Sequence, residues 1–306
     1  MNTIETPLVF ECADSELVGM LHIPETISTR GLITIVAGGP QYRGGVGRQL
    51  VLLARHLAQA GTPVLRFDYR GLGDGEGDFK GFQDVEQDLR AAIDAFRAHA
   101  PEINEFVLWG GCDAGSAIMI NAWKFPEVTG LILGNPWVHT EETGDAVTVK
   151  HHYANRIRDK DFWLKVIRGQ YNPFPALMTI GRTVLAQLRQ KLSARAVASG
   201  KDAVALKDDP SLPFVTRMRN GMSQFHGDVL LLMSGRSIVS KEFDELVASD
   251  AAWQQAMAAP RHVARHDMPD ADQTYSSVAS RREVIAIAQQ WLKDPRATLN
   301  ASQTNA

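Results

Sequence analysis

The sequence is poor in cysteine, and this scarcity is the first constraint on its chemistry. Only Cys12 and Cys112 occur among 306 residues. They lie in unrelated contexts, so a reduced chain is the better interpretation than a disulfide-bonded one. The paired Cys and His spacings of metal sites are missing as well. We therefore expect neither a metal nor a cofactor.

Long apolar runs are also lacking. No stretch of about 18 uncharged apolar residues occurs, which predicts a protein without a membrane span. The first residues, MNTIETPLVF, are acidic early and lack the basic-then-apolar order of a signal peptide, so we expect a cytoplasmic protein. The net charge of −3 and the missing basic and aromatic motif give no indication of nucleic-acid binding.

The small net charge conceals a basic segment between Lys150 and Arg219, with fourteen Lys and Arg against five Asp. Such a segment can attract anionic ligands, although a solvated helical face would have the same composition. Within it, RTVLAQLRQKLSARAVA has an apolar and a basic side. That pattern is typical of a helix packed on a core, and also of one that binds an anionic membrane or an acidic carrier domain.

Five short runs, apolar on both faces, predict the strands of a parallel sheet covered by helices. Helical patterns separate the runs, which predicts a doubly wound, mostly parallel α/β sheet. PLVFECAD and SELVGMLHIPE predict an antiparallel hairpin before it. The predicted strands are GLITIVA (31–37), PVLRFDY (63–69), EFVLWG (105–110), GLILGNP (130–136) and DVLLLMSG (228–235).

The alternation stops after Pro136, where only helical patterns follow. We predict a helical cap at 138–227, inserted between core segments 1–137 and 228–294. The polar stretch 295–306 is predicted to be a disordered tail.

LWGGCDAGSA (108–117) follows the third predicted strand and contains three candidate nucleophiles. It is similar to the elbow of α/β hydrolases, G-x-Nu-x-G, in which the nucleophile occupies a sharp strand-to-helix turn. One alignment of the pattern assigns that position to Cys112 and another to Asp113, with Ser116 a weaker third. We favour Cys112, because Gly110 then directly follows the strand. The structural alternative is a tight turn with a buried, inert cysteine.

Two more loops follow predicted strands in the order that α/β hydrolases require. VAGGPQYRGG predicts an oxyanion-binding loop, with Gly39 as donor because Pro40 has no N–H. The N–H of Asp113 is the second predicted donor. FDYRGLGDGEG, after the next predicted strand, matches a loop that is common at this place in α/β hydrolases. The candidate substrate-binding residues are Gln41, Arg43 and His139.

These loops, with the elbow, NPWVHTE and DADQTYSS, resemble the exosortase A system-associated hydrolase 1 family of bacterial α/β hydrolases over most of the chain. The resemblance implies an α/β-hydrolase fold with an inserted cap and a cysteine at the elbow, where Cys112 stands. It also implies a setting of exopolysaccharide production and PEP-CTERM protein sorting, without a defined substrate.

The acid and base of such hydrolases are replaced here. Ser237 in MSGRSIVSKEF occupies the acid position, and Gln273 in DADQTYSS occupies that of the histidine. Glutamine cannot take up a proton near neutral pH, so the catalytic triad is incomplete. The residues that could substitute are His139, His226 and His266 for the base, and Glu242 and Asp244 for the acid.

A cysteine nucleophile depends less on a base than a serine does, because a few per cent of a free thiol is ionised at pH 7. We also expect the helix N-terminus to lower the pKa of Cys112. The sequence therefore predicts a slow or acyl-transferring hydrolase of a small-molecule ester or thioester, anionic if the basic segment contributes to the site. Two alternatives stay open: a degenerate binding or scaffold protein, and alkyl-ester chemistry at Asp113. No oligomeric state is predicted.

Overall fold

The structure is a computed structural model that describes residues 2–37, 41–139, 208–297 and 299. Elements are numbered in chain order within those residues. The strands are β1 (Thr3–Cys12), β2 (Ser15–Pro24), β3 (Arg30–Ile35), β4 (Val64–Asp68), β5 (Glu105–Gly111), β6 (Val128–Gly134), β7 (Asp228–Ser234) and β8 (His262–Met268). The helices are α1 (Gln49–Gln59), α2 (Glu86–His99), α3 (Asp113–Asn121), α4 (Phe214–Gln224), α5 (Ile238–Ser249), α6 (Ala251–Ala258) and α7 (Val278–Lys293).

All eight strands form one sheet in the order β1-β2-β4-β3-β5-β6-β7-β8. β1 and β2 are the predicted antiparallel hairpin, β2 also pairs antiparallel with β4, and β3 to β8 are mutually parallel. Every residue of β4 and β7 is buried, as expected for strands covered on both faces. The predicted doubly wound, mostly parallel sheet is confirmed.

β5 lies between β3 and β6, near the middle of the sheet. In parallel sheets the loops at the carboxyl ends of the strands form the ligand-binding edge. The turn after β5 therefore lies at the same edge of the sheet as the carboxyl ends of β3, β6, β7 and β8.

Apart from His139, the described residues belong to one compact unit, formed by Met1–Val138 and Asp208–Ala306. Most of the predicted cap lies outside the described residues, as does most of the predicted tail. The helix α4, which falls inside the predicted cap range, packs against α3 and α6 of this unit. Among the described residues, no helix is both long and apolar enough to cross a membrane.

Candidate active site

Cys112 occupies a strained turn between β5 and α3. Its backbone has φ 56° and ψ −129°, a conformation that costs a residue with a side chain about 1–3 kcal/mol. The turn is held on both sides. The Cys112 N–H donates to the Gly134 carbonyl at 2.8 Å, and the Cys112 carbonyl accepts from Ser116 N and Trp137 N at 3.2 Å each.

The glycine before the turn is required by the close approach of strand and helix. A Cβ on Gly110 would lie 2.6 Å from the backbone of Ala114, which is too short for any side chain. Cys112 is the residue of the strand-to-helix turn, and Asp113 is the first residue of α3. Ser116 is fully buried and donates its hydroxyl to the Trp137 carbonyl at 2.6 Å, which makes it a packing residue of the helix.

Gln273 lies against the Cys112 thiol. The distance between Gln273 Nε2 and Cys112 Sγ is 3.3 Å, within reach of a hydrogen bond to sulfur. The structure thus brings together two of the predicted site residues, which are 161 positions apart in the sequence. An amide in this place can donate to sulfur but cannot remove its proton.

Asn135 organises the loop of Gln273, and our sequence reasoning did not identify it. It follows β6, is fully buried and has φ 46°. Its Nδ2 donates to Ser234 Oγ and to the Gln273 carbonyl, both at 2.9 Å. Its Oδ1 accepts from Ser234 N at 2.8 Å and from Ser240 Oγ at 2.6 Å. The one local signal was an asparagine after an apolar strand, since asparagine tolerates a positive φ.

Ser237, at the predicted acid position, is used as a helix cap. Its Oγ accepts the N–H of Ser240 at 3.4 Å at the start of α5, as N-cap serines do. No hydrogen bond joins Ser237 to Gln273 in the part of the chain that the structure describes. The structure therefore brings Gln273, but not Ser237, into contact with the thiol.

The residues considered as substitutes for base and acid have other surroundings. His266 Nε2 lies 2.8 Å from Glu283 Oε1, and the exposed His226 lies 3.5 Å from the Ala259 carbonyl. Asp244 pairs with Arg265 at 2.6 Å. The remaining two, Glu242 and His139, are buried and exposed respectively.

Burial raises the pKa of the Cys112 thiol, and the carboxylate of Asp113 raises it further. The backbone N–H of Asp113 and the amide of Gln273 act in the opposite direction and do not outweigh them. The N–H at the start of α3 thus lowers the pKa as expected, but the net shift is upward, because desolvation of the thiolate is the larger effect. The surroundings of the sulfur therefore disfavour the thiolate.

The described part of the predicted oxyanion loop, from residue 41 onward, is anchored by buried charge. Asp68, at the end of β4, is fully buried and accepts the N–H and the guanidinium of Arg43. It also accepts Asp74 N at 3.1 Å, and Arg43 pairs with Asp74 at 2.6 Å. Arg43 is thus engaged in ion pairs within the loops, and its role in substrate binding stays a prediction.

The other predicted oxyanion and substrate-binding residues differ in their exposure to solvent, and one of them is not described. Gln41 is half-buried and His139 is exposed, and Gly39 lies outside the described residues. Where the structure describes the chain, no group of three or more His, Cys, Asp or Glu side chains could hold a metal ion.

A family model described as serine aminopeptidase, S33, matches residues 28–265. No curated protein matches the sequence. The elbow of this chain has a cysteine, although the family description names a serine enzyme.

Three solved structures illustrate the similarity in fold. An esterase from Pyrococcus furiosus has a TM-score of 0.61 at 12% identity, covering 95% of this chain and 90% of its own. Est1E from Butyrivibrio proteoclasticus, with ferulic acid bound, has a TM-score of 0.57 at 13% identity over 94% and 98%. Dienelactone hydrolase from Anabaena variabilis has a TM-score of 0.55 at 13% identity over 96% and 98%. At these identities the similarity shows the fold alone.

Proposed function

Because the chain belongs to the serine aminopeptidase S33 family of α/β hydrolases, we propose that it acts on a small-molecule ester or thioester through Cys112. The observation that carries this proposal is the backbone of Cys112, which has the strained elbow conformation without being glycine. Such strain is typical of functional sites. It presents a half-buried thiol beside two hydrogen-bond donors, the Asp113 N–H and the Gln273 amide.

Acylation would proceed by nucleophilic addition. The thiol loses its proton to solvent base, and Sγ forms a bond to the carbonyl carbon of the substrate. The carbonyl oxygen takes up the negative charge, which the N–H groups of Asp113 and Gly39 would stabilise. The intermediate then collapses, the C–O or C–S bond breaks, and the leaving group takes a proton from water. The acyl group stays on Cys112.

Deacylation would be the slow half of the cycle. Water needs a base to attack a thioester efficiently, and the group against the sulfur is the Gln273 amide. We therefore propose a persistent acyl-enzyme, released slowly to water or faster to an acceptor more nucleophilic than water.

A second candidate function is favoured by the raised pKa of Cys112 and by the use of Ser237 as a helix cap. Both fit a degenerate member that binds a ligand or partner without turnover. The exosortase-associated setting, a cytoplasmic location and an anionic substrate stay predictions from the sequence.

The two functions are separated by intact-mass measurement after incubation with p-nitrophenyl acetate or a short acyl thioester. The hydrolase proposal expects one acyl group per chain, lost in Cys112→Ala. Cys12→Ala is the matched control, since Cys12 is buried in the core, and it should keep the adduct. The binding-only function is supported if neither variant nor the wild type is acylated by donors of any tested chain length.

A further inference from the structure

Asn135 connects three parts of the sheet edge through one buried side chain. Its hydrogen bonds reach Ser234 at the end of β7, Ser240 in the first turn of α5, and the Gln273 carbonyl in the loop after β8. Because two donors and two acceptor contacts are used, the amide has a single orientation in this network. An aspartate of the same shape could not donate to the Gln273 carbonyl.

A buried tyrosine also anchors the loop that contains Gln273. Tyr275 donates its hydroxyl to the Leu232 carbonyl at 2.8 Å and has φ 53°. The bond from Asn135 Nδ2 to the Gln273 carbonyl holds the backbone of Gln273 itself, and the Tyr275 bond holds the chain two residues later. With both made, the Gln273 side chain extends to the Cys112 sulfur.

We propose that Asn135 is a positioning residue of the Cys112 site, whose amide fixes the loop backbone so that the Gln273 side chain donates to the sulfur. The proposal rests on the function proposed above, in which Cys112 is the nucleophile. It adds that the position of the Gln273 amide at the sulfur is fixed by Asn135, after β6, and by Ser234, at the end of β7. These hydrogen-bonding groups are neutral, and none of them is a base.

The test measures how readily Cys112 is alkylated by iodoacetamide across pH. In this reaction the thiolate sulfur forms a bond to the CH₂ carbon, iodide leaves, and the thiol proton goes to solvent. The Cys112 peptide is followed by mass spectrometry in the full chain, so Cys12 does not contribute. No ester substrate is used. The result can therefore be interpreted even if Cys112 is not acylated in the experiment described above.

Asn135→Gly removes the amide and suits the positive φ. It should move the alkylation profile of Cys112 to higher pH and slow the reaction at pH 8 by about tenfold or more, the effect of one lost hydrogen bond to an ionised group. Gln273→Ala should produce the same shift. The variant with both substitutions should show little further change, because each substitution alone already removes the same hydrogen bond to the Cys112 sulfur.

Asn121→Ala is the matched control. Asn121 is also buried, and its amide donates to the Ala117 carbonyl at 3.0 Å, inside α3. It should lower the melting temperature and leave the pH profile of Cys112 unchanged. The proposal is overturned if Asn135→Gly behaves like Asn121→Ala, or if its shift adds fully to that of Gln273→Ala.

If Asn135→Gly does not fold, Ser240→Ala replaces it, since this variant removes the 2.6 Å bond to Asn135 Oδ1 and a longer bond from Ser234 N at 3.3 Å, and leaves the amide of Asn135 in place. A smaller shift in the same direction is expected. An unchanged profile in a folded Ser240→Ala protein would contradict the proposal.

Discussion

The loop after β4 and the loop after β8 lie at the same edge of the sheet and are stabilised by different chemistry. In the first, Arg70 pairs with Asp88 at 2.8 Å, both buried, and Asp68 binds Arg43. In the second, the buried bonds join neutral groups, Asn135 to the Gln273 carbonyl and Tyr275 to the Leu232 carbonyl.

The difference is informative about the thiol. Ionisable groups support the β4 side, where they are paired, whereas the β8 side contributes only an amide to Cys112. The carboxylate that raises the pKa of this thiol comes from its own neighbour, Asp113. Such surroundings disfavour the thiolate, in contrast to a base that would remove the proton.

The largest effect on the free energy of unfolding should come from breaking the buried ion pair of the loop after β4. Asp88→Ala leaves Arg70 buried without its partner, and removal of one member of a buried pair costs about 3–5 kcal/mol. Urea unfolding should show this decrease. Asp270→Ala, which breaks the exposed pair with Arg236, should cost about 0–1 kcal/mol. Equal losses in the two variants would refute the contrast between buried and exposed pairs.

His22, which contacts Arg66 of β4, should make the stability of the fold sensitive to acid. It is fully buried, its Nε2 accepts from Arg66 Nε at 3.0 Å, and its pKa is lowered to about 4, first by burial and then by the charge of Arg66. The unfolded chain takes up this proton near pH 6.5 and the folded one does not. Stability should therefore fall as the pH drops from 6.5 towards 4, by up to about 3 kcal/mol.

The pH dependence of unfolding by urea tests this expectation. His22→Gln keeps an acceptor for Arg66 and should flatten the acid slope, whereas the exposed His99→Gln should leave the slope as in the wild type. A slope unchanged in His22→Gln would assign the acid sensitivity to other groups.

The elbow itself should reverse the usual order of glycine and alanine. Cys112→Gly relieves the positive φ and should be about 1 kcal/mol more stable than Cys112→Ala. In the regular helix α3, Ala117→Gly should instead lose about 1 kcal/mol. Urea unfolding compares the pairs, and a Cys112→Gly protein less stable than Cys112→Ala would argue against backbone strain at the turn.

The smallest effect concerns the carboxylate beside the thiol. Asp113→Asn removes the charge that raises the pKa of Cys112, so alkylation by iodoacetamide at pH 7 should become several-fold faster. Asp94→Asn, on the exposed surface of α2, should have no effect. A rate that falls in Asp113→Asn would show that the carboxylate promotes ionisation of the thiol.

The sheet was predictable because its inner strands are apolar on both faces, as EFVLWG at 105–110 became β5, Glu105–Gly111. The strand-to-helix turn at Cys112 was predictable because Gly110 directly follows an apolar run, whereas the nucleophilic role of Cys112 stays a prediction. The network of Asn135 was not, since its partners lie 99, 105 and 138 positions away. The net rise in the pKa of Cys112 was not predicted, because burial is a tertiary property that helix position does not reveal.

The most direct test of the account is the lifetime of the acyl group on Cys112 in the wild type and in Ser237→Asp with Gln273→His. Intact mass is followed after excess acyl donor has been removed. The account predicts a long-lived acyl-enzyme in the wild type and faster loss in the double variant, whose histidine can activate water. If the double variant, folded and acylated, loses the group no faster than the wild type, positions 237 and 273 are not those of acid and base.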